Sequence, residues 1–280
     1  MTERLADISA RIENVRQLAS VVTAMRGIAA SRAQQSRNLL AGIEAYSETV
    51  STAIGDALGF VASPARSVEA PGGGQALIVF CAEQGFAGGL SDSVLKSAGT
   101  IAPSARLIVV GSRGGSIAAE RGLAVTQTIA MAAQIGALPG IANLIAETLY
   151  AHVAAGTITR AGLVYPRVDG GRDLRMERVA LFPLELEKFR HPHAAVPPLT
   201  TLAPGELLER LAAEYVYARL CEAAMHAFAA ENQMRMETMS AASNNIDRTL
   251  DELRHRENQV RQENVTAEIV ELAATGRELR

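Results

Sequence analysis

All ten prolines of this 280-residue chain lie between positions 64 and 204. Proline removes a backbone donor and clashes with the preceding helical turn, so two long proline-free ends can run as unbroken helices. In the first, Leu5, Ile8, Ile12, Val15, Ala19, Val22, Met25 and Ala29 recur at intervals of three and four, which draws one apolar stripe down a helix. In the second, Leu207, Leu211, Tyr215, Leu220, Met225 and Phe228 lead into Met239, Ala242, Ile246, Leu250, Leu253 and Val260. As a single helix, residues 205–280 would reach about 110 Å. Breaks at "AAENQ" or "ASNNID" would instead give two or three helices of a bundle. Two terminal helices with matched seams bury them on each other or on a partner, which predicts an antiparallel coiled coil protruding from a middle domain.

The middle changes character. "SPARSVEAPGGGQ" at 63–75 and "HPHAAVPPLTTLAPG" at 191–205 read as linkers. Between them, short apolar runs such as "ALIVFCA" at 76, "RLIVVGS" at 106 and "AGLVYPRV" at 161 alternate with helical pieces. That alternation predicts an α/β domain with a mostly parallel sheet. The expected organisation is a helix over 1–63, an α/β domain over 76–200 and a helix over 205–280.

"TAMRGIAASR", residues 23–32, puts small residues where a core helix would place leucine. Gly27 alone costs about 1 kcal/mol of helix propensity against alanine. Ala24, Gly27, Ala29, Ala30 and Ser31 are expected to let a second helix approach closely and to keep the rod thin. The stretch from Asn14 to Ile43 carries Arg16, Arg26, Arg32 and Arg37 and no acid, which suggests an acidic partner nearby. Near the other end Arg261, Gln262, Thr266 and Glu268 form a polar group able to bond across an interface.

Reactive chemistry is sparse. "EQGFAGGLSDS" at 83–93 and "GSRGGS" at 111–116 follow strands and open helices, where backbone N–H groups can cradle phosphate, yet neither fits a phosphate-loop spacing. His191 and His193 flank a linker proline without neighbouring cysteine or clustered acid, so no metal site is expected. Cys81, ending a strand, reads as a buried thiol, and with Cys221 it gives no disulfide framework. A net charge of −3 gives no overall case for nucleic acid. The opening "MTERLADISARIE" lacks the apolar core of a secretory signal, and the longest apolar run, 76–82, is far short of a membrane span, so membrane association is expected only through partners.

Taken in order, three separated stretches resemble the gamma subunit of F-type ATP synthases. "DISARIENVRQLASVVTAMRGIAASRAQQSR" is similar to that family's opening helix, with Thr23, Ala24 and Met25 at its Lys-Ala-Met element. Gly85, Gly88, Gly89 and Leu90 match its Gly-x-x-Gly-Gly-Leu turn. "ENQMRMETMSAASNN" followed by "RQENVTAEIVELAATG" looks like its C-terminal signature. The sequence departs from the pattern at Thr23, where lysine is usual, and at Ala267, where glutamine is common.

The resemblance implies a non-catalytic central-stalk rotor without cofactor or metal. It implies a coiled coil inside a ring of alpha and beta subunits, an α/β domain meeting epsilon and the membrane c-ring, and a location on the cytoplasmic face of the bacterial inner membrane. Arg261, Gln262, Thr266 and Glu268 would touch the catalytic ring, with Met25 an adaptable apolar contact and Arg26 and Arg32 facing acidic loops. The rival readings are a phosphate- or nucleotide-handling α/β enzyme dimerising through its terminal helices, and an adaptor.

Overall fold

The computed structural model describes residues 5–60, 73–102, 104–169, 174–190 and 199–278, with side chains described to 270 and at Leu272. His191, His193 and much of both expected linkers lie outside the described residues. The elements run α1 (Leu5–Leu58), β1 (Gly74–Phe80), α2 (Leu90–Ser97), β2 (Arg106–Val110), α3 (Ser112–Glu120), β3 (Val125–Ile129), α4 (Leu138–Ala154), β4 (Ile158–Val168), β5 (Leu174–Phe182) and α5 (Pro204–Glu278). A long helix at each end with an α/β insertion is therefore the architecture. The C-terminal helix is continuous through "AAENQ" and "ASNNID", so the bundle alternative is overturned. Without proline, and with alanine, glutamate, arginine and methionine abundant there, nothing stops its propagation.

The chain divides into two compact units. The first joins Met1–Ala29 to Arg235–Arg280 and the second spans Ala30–Met234.

In the first unit the two stripes meet as read. Ile8, Ile12 and Val22 of α1 cluster with Met239, Ile246, Leu250 and Leu253 of α5, flanked by Val15, Ala19, Met25, Ala242 and Val260. Ser9 Oγ donates to Glu257 at 2.7 Å, fixing the N-terminal turns of α1 beside the far end of α5. The small residues differ from expectation in their placement. Ala29 is buried, but Ala24, Gly27 and Ser31 face outward, and a methyl group added at Gly27 would meet nothing within 4 Å. Gly27 therefore makes no close helix contact within this unit.

In the second unit a five-stranded sheet has the order β3-β2-β1-β4-β5, parallel throughout except that β5 runs antiparallel to β4. Alternate residues of each strand point to opposite faces. Leu77, Val79, Cys81, Leu107 and Val109 pack on α2 and α3 through Val94, Leu95 and Ala118. Ile78, Phe80, Ile108, Leu163 and Tyr165 pack on α4 and on α5, whose residues from Leu220 to Gln233 are buried without interruption. A helix buried on every side shows no amphipathic stripe, which is why "CEAAMHAFAAENQ" carries no one-sided apolar period. Val50, Ile54 and Leu58 of α1 form a further cluster with Leu208, Leu211 and Tyr215 of α5.

Candidate functional site

From β1 the chain passes to β2 and β3 on one side, then returns to place β4 on the other side of β1. The crevice outside the carboxyl ends of β1 and β4 is thus a switch point, the place where open α/β sheets receive ligands. Both glycine-rich turns singled out in the sequence open onto this edge. At the strand ends several of their donors are already taken.

At the end of β1, Glu231 of α5 accepts the backbone N–H groups of Glu83 and Gln84 at 2.9 and 3.2 Å. Ser91 Oγ accepts the Ala82 N–H at 3.1 Å. At the start of α3, Glu83 accepts the Ser112 N–H and hydroxyl at 2.9 and 2.8 Å, and it also accepts the Met131 N–H beyond β3 at 2.7 Å. Carboxylates of the chain itself take the N–H groups of Glu83, Gln84, Ser112 and Met131, and leaving those donors without partners would cost free energy. The turn does hold one strained residue: Phe86 has φ +62° and an exposed ring.

The glycines at 111–115 serve packing. Gly111 has φ +114°, and a side chain there would press on the carbonyl oxygens of Cys81 and Ala82 at 2.6 and 2.7 Å. At Gly114 an added methyl would lie 2.0 Å from Cys81 Cβ. They bring α3 down onto β1. Burial pushes the Cys81 thiol up to about 12, which removes it as a nucleophile at neutral pH.

At the end of β4, Arg167 gathers four carboxylates, from α1, α5, β5 and the residue just after β4. Its Nη2 lies 2.6 Å from Glu44 of α1, and its Nη1 lies 3.2 Å from Glu222 of α5 and 3.3 Å from Glu177 of β5. Its Nε is 3.4 Å from Asp169. Glu222 is 3% exposed, and its second oxygen takes Arg219 at 2.6 Å. His226, buried and stacked on Tyr165, accepts the Val168 N–H at Nδ1 over 3.4 Å and turns Nε2 toward Glu44 at 3.4 Å. Because Nδ1 accepts, the single proton of the neutral ring sits on Nε2. Burial first, then the positive charge of Arg167, lowers the His226 pKa to about 4.

Glu44, Glu222 and His226 bring potential ligand atoms within 4.8 Å of one another. The cation of this cluster is Arg167. A metal would have to displace it and, by binding Nε2, would force a proton onto Nδ1 against the Val168 donor. The residues therefore do not fit a metal centre. An apolar hollow of about 350 Å³ lined by Ile43, Ile135, Leu138, Cys221 and Met225 offers no acid or base to orient a substrate.

Neither Arg167 with its partners nor Glu231 was identified from sequence. The available signal was polar Glu222, His226 and Glu231 interrupting an otherwise apolar, alanine-rich stretch.

The partner-contact residues read from the sequence fall on α1 and α5. Met25 is half-buried against the seam, and Arg26 and Arg32 are half-buried. Arg16 is exposed beside Glu13 at 3.6 Å. Arg261, Gln262, Thr266 and Glu268 are all exposed on α5, and the Thr266 hydroxyl is turned back to the Gln262 carbonyl at 2.8 Å. Val265, Ile269 and Val270 beside them are exposed apolar side chains.

A family model described as "ATP synthase" matches residues 4–277. The ATP synthase gamma chain of Caldanaerobacter subterraneus subsp. tengcongensis is 25% identical over 95% of this chain and 97% of its own length. That of Parafrankia sp. is likewise 25% identical, over 97% and 96%. Among solved structures, a chain of the Euglena gracilis mitochondrial ATP synthase described as OSCP/F1/c-ring superimposes with a TM-score of 0.68, at 14% identity, over 98% of this chain and 94% of that one. A chain of the rotor of the same enzyme gives 0.64 at 13% identity over 93% and 98%.

Proposed function

The chain belongs to the ATP synthase gamma family, whose members are non-catalytic central-stalk subunits, and from that premise we propose that it is the rotor coupling ion flow through a membrane sector to ATP turnover in a ring of alpha and beta subunits. The paired terminal helices act inside the ring, and the α/β unit meets epsilon and the c-ring. Coupling is then a difference in contact energy between one asymmetric shaft and each catalytic site in turn.

The observation that carries this reading is the family match along the whole chain. It is supported by the carboxyl edge of the sheet, where Glu231 and Glu83 take backbone donors of both strand-to-helix turns. Met25 supplies an adaptable apolar contact. Arg26 and Arg32 face acidic loops of the ring, and Arg261, Gln262, Thr266 and Glu268 bond to it near the tip. No helix among the described residues is long and apolar enough to cross a membrane. The chain is held peripherally, on the cytoplasmic face of the bacterial inner membrane, by its partners.

The test is ATPase activity of alpha and beta subunits from the same organism, assembled with and without this chain. Stoichiometric incorporation with a rise in turnover is expected. A folded chain that fails to join the ring contradicts the proposal.

A further inference from the structure

We propose, resting on the rotor reading above, that Arg167 is the mechanical joint of the second unit: the residue that fixes α1 and α5 to the sheet against sliding when torque is transmitted. Most of the packing between these helices and the strands is apolar. Apolar burial is non-directional, so it holds surfaces together without prescribing which atoms must face one another. A guanidinium shared among several carboxylates is directional, because each N–H must keep its acceptor.

Arg167 is placed for that role. From β4 it reaches α1 through Glu44, α5 through Glu222 and the neighbouring strand β5 through Glu177. Two further bonds tie α5 to the same sheet edge: His226 to the Val168 N–H, and Glu231 to the turn after β1. Buried ion pairs are poor sources of stability, since apolar residues of similar volume often replace them without loss. Retaining a carboxylate as deeply buried as Glu222, at the cost of two arginines to satisfy it, points to fixed geometry as the gain. At the end of a strand buried from Ala161 to Pro166, Arg167 is where both terminal helices and the sheet share one side chain.

The experiment uses the complete ATP synthase in sealed vesicles, with wild-type chain, Arg167→Met, Arg167→Lys or Glu44→Gln. ATP hydrolysis and ATP-driven ion pumping are measured as the opposing ion gradient is raised. Arg167→Met is expected to keep hydrolysis within about twofold while pumping against a gradient falls about fivefold, since the joint's carboxylates lose their common partner. Arg167→Lys recovers part of the pumping. Glu44→Gln alters a partner that is 41% exposed and is expected to fold normally with a smaller loss of the same kind. A merely stabilising residue would lower hydrolysis and pumping together. An unchanged ratio of pumping to hydrolysis at every gradient overturns the joint, and if Arg167→Met does not assemble, Glu44→Gln decides by the same ratio. Absence of pumping with the wild-type chain overturns the rotor reading itself, and the joint with it.

Discussion

The Glu231 carboxylate accepts the backbone N–H of Glu83 at 2.9 Å, across 148 positions of sequence. This bond and its companion to Gln84 place a side chain of the C-terminal helix where doubly wound enzymes hold an anionic ligand. The same crevice that would serve catalysis is used here to grip a helix.

Removing that grip exposes donors. Hydrogen bonds to charged groups are worth about 1.5–3 kcal/mol, so Glu231→Ala is expected to lower unfolding stability by about that much in a urea titration. Wild-type protein titrated with inorganic phosphate in a calorimeter should show no saturable heat. Saturable phosphate binding by the wild type would favour the enzyme reading.

Gly114 is expected to tolerate no side chain. Its added methyl would lie 2.0 Å from Cys81 Cβ and 2.9 Å from Cys81 Sγ. Overpacking of this kind costs about 1–3 kcal/mol. Thermal unfolding of Gly114→Ala should show a clear drop, and an unchanged midpoint would mean that α3 does not sit as closely on β1 as found.

Gly27 should behave in the opposite way. With open space around it and helix on both sides, Gly27→Ala is expected to stabilise the isolated chain by up to about 1 kcal/mol. Replacing Gly27 and half-buried Ala30 together by leucine should leave the isolated chain folded but reduce ATP-driven pumping in the assembled complex, because the helix is thickened there. Unchanged pumping by the double variant would show that thinness there serves no partner.

His226 predicts a pH dependence of stability. The group faces Glu44 of α1, Tyr165, Arg167 and Asp169 of β4 and its flank, Glu177 of β5, and Glu222 of α5. Its pKa falls from 6.5 in the unfolded chain to about 4 in the folded one. Between those values the unfolded state binds the proton that the folded state refuses, so stability falls as pH drops from about 6.5 toward 4 and is unaffected above. The full loss is at most about 3 kcal/mol. Urea unfolding from pH 4 to 7 should show a steeper acid loss for wild type than for His226→Gln. Parallel curves would mean that the ring is not held neutral.

The seam was legible because Ile8, Ile12, Val22, Ile246, Leu250 and Leu253 lie on a one-sided stripe, where spacing of three and four survives into the fold. The strands were legible because "ALIVFCA" and "RLIVVGS" are short, apolar and β-branched. The fate of the glycine-rich turns was not, since Glu231 stands far along the chain from the donors it satisfies. Nor was the buried run from Leu220 to Gln233, because a helix covered on all sides carries no period to read. Arg167 lies in a strand that looks like any other, and its meaning comes from Glu44, Glu177 and Glu222, which only the tertiary structure brings together.

Rotation itself can be watched. Cys81 and Cys221 are both buried, so a single exposed thiol placed by Lys96→Cys on α2 can carry a bead while the alpha and beta ring is fixed to a surface. The rotor reading predicts steady turning in one direction that starts with ATP and stops when it is exhausted. A bead that only fluctuates, above a ring that is hydrolysing ATP with this chain incorporated, would contradict it.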